Sequence, residues 1–332
     1  MHSDSYYLKL HTLLTGYRQY RLLEAAFDSG VFRVASQTPQ SAETLCKAVN
    51  WEQSMGTRAL SALCGLNLLR ETPEGFCLSE LGAHFFGEDA LHPMDGTLSF
   101  EKRLFDSWNL LGETLKKGER VYAAEEKTQE QYKKDLAQYI DSMDEAAKIR
   151  AEELWQAVPA GTETGTFVEL GFGSGAYTLN FLNRNTGWGA EIADLDDVVD
   201  LFHQKKSAQP SYDRIGTSTV NLLDETWDLS RCQGADILLL SNLIHCQGDV
   251  ETSGIITRAA NLLAKGGRLI IHDFCRDRGE IGALYDLHMM LNTYNGKTYT
   301  TAETRAMMEA AGLAYTCEVR LPSGSCALVA TK

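Results

Sequence analysis

Apolar side chains recur at helical spacing from Tyr6 to Asp28, at Leu10, Leu13, Leu14, Tyr17, Tyr20, Leu23, Ala26 and Phe27. Gly30 ends that run. A helical pair is predicted next, starting at Ser41-Ala42-Glu43-Thr44 and continuing with Met55 to Leu63. Leu68 to Leu78 predicts a short hairpin turning at Pro73-Glu74-Gly75. Helix, helix and hairpin in that order make a winged-helix pattern. Residues Phe100 to Val158 predict further helices. One stripe holds Trp108, Leu110, Leu111 and Leu115, and another holds Tyr132, Leu136, Tyr139, Ile140 and Met143. Between them, Lys116-Lys117-Gly118-Glu119-Arg120 reads as a solvated loop.

Past a polar linker at Thr162 to Thr166 the pattern changes. Apolar runs at Phe167 to Leu170, Trp188 to Ala193, Asp236 to Ser241, Arg268 to His272 and Cys326 to Ala330 predict strands. Ser253 to Leu263 and Thr301 to Ala311 predict helices, stopped by Lys265-Gly266-Gly267 and by Gly312. Such alternation implies an α/β domain with a parallel sheet covered by helices on both faces. With 332 residues, the chain is about twice the length of a typical domain. The expected division is 1–98, 99–160 and 161–332.

Charge narrows the partners. The formal net charge is -14, against the basic face that nucleic-acid binders carry. The second helix of the winged-helix pattern is mostly apolar, with Arg58 and Arg70 the only basic residues nearby. That suits packing or dimerisation better than a DNA groove. No apolar run approaches the ~20 residues of a membrane span, and Met1 to Leu10 lacks a signal-peptide core. Eight cysteines are scattered without a CxxC pair, as expected of reduced thiols in a cytoplasmic protein. No metal-ligand cluster stands out.

The chemistry concentrates at Phe167-Val168-Glu169-Leu170-Gly171-Phe172-Gly173-Ser174-Gly175. A strand stops in three closely spaced glycines and a helix begins, so a ligand can lie against the main chain. The next strand ends at Asp194, an acid placed to accept the hydroxyls of a ribose. A dinucleotide loop would read G-x-G-x-x-G. Here the third glycine comes one residue early, and Glu169 would repel a pyrophosphate yet hold an ammonium group. The pattern resembles the first motif of class I S-adenosylmethionine-dependent methyltransferases.

Taken with the N-terminal winged-helix pattern and the helical middle, the chain resembles small-molecule O-methyltransferases of the caffeate, acetylserotonin and phenazine type. The resemblance covers nearly the whole chain. It implies a Rossmann-like methyltransferase sheet, an N-terminal module that builds a homodimer, and S-adenosyl-L-methionine as cofactor. It assigns cofactor contacts to Glu169, Gly171, Gly173, Gly175, Asp194, Leu195, Asn221, Leu222 and Ser241. Asn221-Leu222 stands where the family has Asp-Met, and Ser241 where many members have Lys. His245 falls on the family's general base and Asp273 on an acid that orients it. The place of a second acid falls on Thr298. Met143, His272, His288 and Met289 are further candidates for the acceptor pocket, although His272 and Asp273 alternate along a strand and one of them is expected to point away.

Methyl transfer from a sulfonium is an in-line displacement, so the protein mainly aligns the reacting atoms. A hydroxyl acceptor must also lose a proton, and a neutral histidine suits a phenol of pKa near ~10. The expected activity is therefore O-methylation of a small hydroxylated, aromatic metabolite. Methylation at sulfur or carbon on the same fold stays open, a thioether acceptor needing no such base, as does a non-catalytic cofactor-binding protein.

Overall fold

The computed structural model describes residues 3–119 and 128–332, so Met1, His2 and Arg120 of the segments discussed above lie outside the described residues. By their internal contacts, the residues form two compact units, Met1–Lys102 and Arg103–Lys332.

The first unit begins with the long helix α1 (Ser3–Ser29) and the single turn α2 (Val31–Val34) beyond Gly30. Ser41 caps α3 (Ala42–Ala48) by accepting the Thr44 N–H, and the Glu52 carboxylate caps α4 (Gln53–Gly65) through the N–H groups of Ser54 and Met55. The hairpin β1 (Leu69–Thr72) and β2 (Gly75–Leu78) follows, then α5 (Glu80–Phe86). Its core is a cluster of buried side chains including Phe32, Leu45, Leu60, Leu63, Leu69 and Phe76. By contrast, α1 leaves Tyr6, Tyr7, Leu10, Leu13, Leu14 and Tyr17 exposed.

The boundary falls within α6 (Asp95–Asn109). The second unit continues with α7 (Leu111–Lys117), ended by Gly118 in the left-handed region, and α8 (Gln129–Ala157), which starts with a Thr128–Gln131 capping box. Then come β3 (Thr164–Leu170), α9 (Ala176–Arg184), β4 (Gly187–Asp194), α10 (Asp196–Lys206), β5 (Ile215–Thr219) and β6 (Ala235–Ser241). The chain closes with α11 (Asp249–Leu262), β7 (Leu263–Asp273), α12 (Gly279–Asn292), α13 (Thr301–Ala310), β8 (Ala314–Arg320) and β9 (Cys326–Thr331).

These strands form one sheet in the order β5-β4-β3-β6-β7-β9-β8. The first five run parallel, while β9 lies antiparallel to both β7 and β8. Alternate side chains feed two cores. Val168, Leu238, Leu240 and Ile271 enter one, and Phe167, Ile237, Leu239 and Ile270 enter the other. Strand order reverses between β3 and β6, where the loops beyond the strand ends make a ligand crevice. Asp194, Ser241 and Asp273 end strands along that edge.

Candidate active site

The glycine loop joins β3 to α9, and Gly171, Gly173 and Gly175 all have positive φ, at 71°, 55° and 74°. Two of them answer to different constraints. A Cβ at Gly175 would stand 2.5 Å from the Phe202 ring, so that position is closed by packing. A Cβ at Gly173 would meet nothing nearer than Ile140 Cδ1 at 3.9 Å. At a strand end on the ligand-binding edge of the sheet, that open space leaves room for a ligand against the main chain. Asp194 braces the loop, accepting the N–H groups of Gly173 at 2.9 Å and Leu195 at 2.8 Å. Burial raises its pKa against those two hydrogen bonds. Leu195 beside it is about half exposed, at 45%. The residues present therefore fit an adenosyl cofactor: open backbone at Gly173, an acid at the end of β4 and an exposed apolar side chain after it.

Three expected contacts, Glu169, Ser241 and Leu222, are placed differently. Glu169 is 1% exposed, and its carboxylate takes the Thr178 hydroxyl and backbone N–H inside the start of α9. Burial pushes its pKa up to about 8. The carboxyl thus holds helix to strand and is not open to an ammonium group. Ser241 is also buried. Its Oγ lies 2.9 Å from His272 Nδ1 and accepts from Asn242 Nδ2 at 3.1 Å, so it is spent within the protein. Leu222 packs into the core, and Leu223 is the exposed member of the pair. Asn221 is exposed, with its amide oxygen accepting the Leu223 N–H at 3.1 Å and its Nδ2 donating to Asp224 at 3.0 Å. One lone pair of that oxygen stays available.

His245 lies in a short 3-10 turn, Ile244–Cys246, beyond β6. Thr252 donates to the Ile244 carbonyl at 3.2 Å, and Tyr299 donates to the Gln247 carbonyl at 2.9 Å, pinning the turn on both sides. The Asp273 carboxylate, at the end of β7, lies 2.5 Å from His245 Nδ1. It is itself held by the Phe274 N–H at 2.7 Å. Burial works against charge on the imidazole, but Asp273, Tyr285 and Cys246 together outweigh it, and the ring's pKa stands well above the ordinary 6.5. Among the described residues, Asp273 is the one acid hydrogen-bonded to His245. Thr298 is fully buried and donates through its N–H and hydroxyl to Asp286, which lies 4.0 Å from Arg276.

His272 turns to the other face of β7, as alternation requires. It is 0% exposed, with Nε2 2.8 Å from Ser325 Oγ, and burial lowers its pKa to about 3. A ring with both nitrogens engaged and no open surface lines no pocket, which removes it from the acceptor candidates. Met289 on the same helix as His288 is buried, at 5% exposure. His288 remains, half-buried, as does Met143 on α8. Burial, with the His245 charge adding, lowers the His288 pKa to about 4.

Aromatic side chains from several elements gather beside the His245–Asp273 pair. The Tyr285 ring meets His245 edge-on, centroids 5.1 Å apart, and lies 4.4 Å from Phe274 and 5.4 Å from His288. Trp108 stacks beyond His288 at 6.4 Å. Tyr139 of α8 is 40% exposed, yet burial pushes its hydroxyl up to about 12, with Cys246, Tyr285, His245 and Asp194 among the charges around it. An aromatic wall therefore runs from the dyad across α12 to α6. Among the described residues, no group of three or more His, Cys, Asp or Glu side chains gathers as a metal site. No described helix is long and apolar enough to cross a membrane.

Comparison with known proteins bears on the family and the fold. The O-methyltransferase domain family matches residues 108–314. A 3-amino-4-hydroxybenzoate 4-O-methyltransferase from Streptomyces cremeus is 23% identical over 337 residues, covering 97% of this chain and 89% of that protein. Human N-acetylserotonin methyltransferase in complex with SAM superposes with a TM-score of 0.83 at 19% identity, covering 100% of this chain and 99% of the other. The pyocyanin biosynthetic protein PhzM gives a TM-score of 0.84 at 19% identity, covering 99% and 100%. At these identities the two structures speak for the fold.

Proposed function

This chain belongs to the O-methyltransferase domain family, and we propose that within it His245 takes the proton from a hydroxyl of a small aromatic acceptor. The chain is an S-adenosyl-L-methionine-dependent O-methyltransferase of small molecules. The cofactor supplies an activated methyl group when bound. The residues that would hold it are the open backbone at Gly173, Asp194 and Leu195.

The observation that carries the base assignment is the buried His245–Asp273 pair at the strand ends beside that cradle. Asp273 takes Nδ1, which leaves Nε2 to receive a proton. The Asp273 carboxylate then stabilises the imidazolium that forms. Tyr285, His288 and Trp108 give the acceptor a wall of rings, which suits a planar aromatic. The relative from Streptomyces cremeus is named for a hydroxybenzoate, a phenolic acceptor of that kind. Residues 99–160 contribute Trp108, Tyr139 and Met143 to this pocket in our reading, between a module at 1–98 and the cofactor-binding part at 161–332.

The exposed apolar residues of α1 support a symmetric homodimer, because such a patch is costly in water. The test of the activity is methyl transfer to a panel of small phenols, with the His245→Ala variant as control. Transfer that is independent of His245 would remove the base.

A further inference from the structure

Arg150 stands on the inner side of α8 and is half-buried. Its guanidinium carbon lies 4.9 Å from the centroid of the Phe274 ring. Phe274 packs at 4.4 Å against Tyr285, whose ring abuts His245. A chain of contacts through the Phe274 and Tyr285 rings thus links Arg150 to His245. Its charge also reaches Tyr177, in the first turn after the glycine loop, and eases that phenol downward against burial. It acts in the same sense on Tyr285.

A guanidinium carries five N–H donors in a fixed fork. Among the described residues, no carboxylate and no hydrogen-bond acceptor engages Arg150; its contact is the Phe274 face. The other arginines that line this part of the protein are paired: Arg276 with Glu303, and Arg278 with Glu318. A half-buried cation without an anion is an expensive arrangement unless a ligand completes it. The Phe274 face anchors the cation while leaving N–H groups for a planar, bidentate partner. Carboxylate is the group whose two oxygens match that fork.

We propose that Arg150 is the carboxylate receptor of this active site. The claim rests on the methyltransferase reading and adds to it the chemistry of one ligand group. Two carboxylates are available to such a site. One is the amino-acid end of the cofactor, on the Tyr177 side. The other is an acid group on the aromatic acceptor, on the Tyr285 side.

The test is calorimetry on the full chain, comparing wild type with Arg150→Gln and Arg150→Lys. The probes are S-adenosylhomocysteine, 5′-methylthioadenosine, which lacks the amino-acid end, and benzoate against phenol on protein saturated with S-adenosylhomocysteine. Arg150→Gln is expected to weaken a carboxylate probe roughly 10- to 100-fold, the scale of a charged hydrogen bond, with Arg150→Lys in between. Weaker S-adenosylhomocysteine with unchanged 5′-methylthioadenosine assigns the site to the cofactor. Unchanged S-adenosylhomocysteine with loss of the preference for benzoate over phenol assigns it to the acceptor. Unchanged binding of both carboxylates overturns the proposal, and so does equal weakening of 5′-methylthioadenosine. A wild-type protein that binds no S-adenosylhomocysteine would instead fail the methyltransferase reading itself.

Discussion

His245 Nδ1 lies 2.5 Å from Asp273 Oδ1, and the two side chains are 5% and 4% exposed. Asp273 cannot swing away, because the Phe274 N–H holds the same oxygen at 2.7 Å. The pair is fixed before any ligand arrives, and its electrostatics follow from that. Burial disfavours the charged imidazole, but the adjoining carboxylate together with Tyr285 and Cys246 more than offsets it. The base is then fully neutral only above the ordinary histidine range.

Asp273→Asn removes the charge that raises the ring. Burial then prevails and the His245 pKa falls, so the acid limb of the pH–rate profile moves to lower pH. The rate on the plateau falls as well, by less than on removing the imidazole, because ring orientation is loosened. The profile of kcat/KM against pH checks both. A limb that stays in place would deny Asp273 its charge effect. The wild-type pair also adds stability, fully present below pH 6.5 and lost as pH rises through the raised folded-state value.

The glycine loop gives a paired prediction. Gly173→Ala incurs about 1–2 kcal/mol of left-handed backbone strain and places a methyl in the open cradle, so S-adenosylhomocysteine binding falls well beyond the stability change. Gly175→Ala incurs the same strain plus a Cβ 2.5 Å from Phe202, and loses more stability. Urea melts and calorimetry on both variants measure the contrast. Equal cofactor loss at equal stability would contradict the cradle.

His272 offers a stability test at a buried residue outside the His245–Asp273 pair. Its pKa is about 3 folded against 6.5 unfolded. The unfolded chain takes up a proton in that window and the native state does not. The contribution is complete above pH 6.5 and is lost as pH falls toward 3, at up to ~1.4 kcal/mol per pH unit. His272→Gln flattens that slope. Denaturant midpoints at pH 7.5, 6 and 5 measure it, and a wild-type-to-variant difference that is constant with pH would refute the assignment.

Much of this was readable along the chain because it is local. Three glycines at alternate positions need left-handed backbone, and Asp194, His245 and Asp273 fall at strand ends that periodicity marks out. Ser41 and Gly30 announce helix limits in the same way. What stayed hidden is tertiary. β5 and β8 are the edge strands of the sheet and carry mixed, half-exposed residues without a clean alternation. Lys265-Gly266-Gly267 reads as a helix stop yet lies inside β7. Ser241 could be placed at the crevice by its strand, but its bond to His272 depends on a neighbouring strand in register. Tyr285, Phe274 and Arg150 come from separate elements, and nothing in their spacing brings them together.

Oligomeric state tests the α1 surface. Leu13 and Leu14 are 73% and 64% exposed. Leu13→Glu combined with Leu14→Glu is expected to convert a dimer into a monomer by light scattering at micromolar concentration. A wild type that is already a monomer there would contradict the dimer.

The most direct measurement of the central claim is single-turnover methyl transfer to a phenolic acceptor as a function of pH, for wild type and His245→Ala. The wild-type rate is expected to fall as pH drops through a titration above 6.5, because an imidazolium cannot accept the phenol's proton. His245→Ala is expected to lower the rate about 10²–10⁴-fold, to lose that limb, and to bind S-adenosylhomocysteine as wild type does. A His245→Ala enzyme with wild-type rate and wild-type pH dependence would contradict the account and turn attention to an acceptor that has no proton to give up.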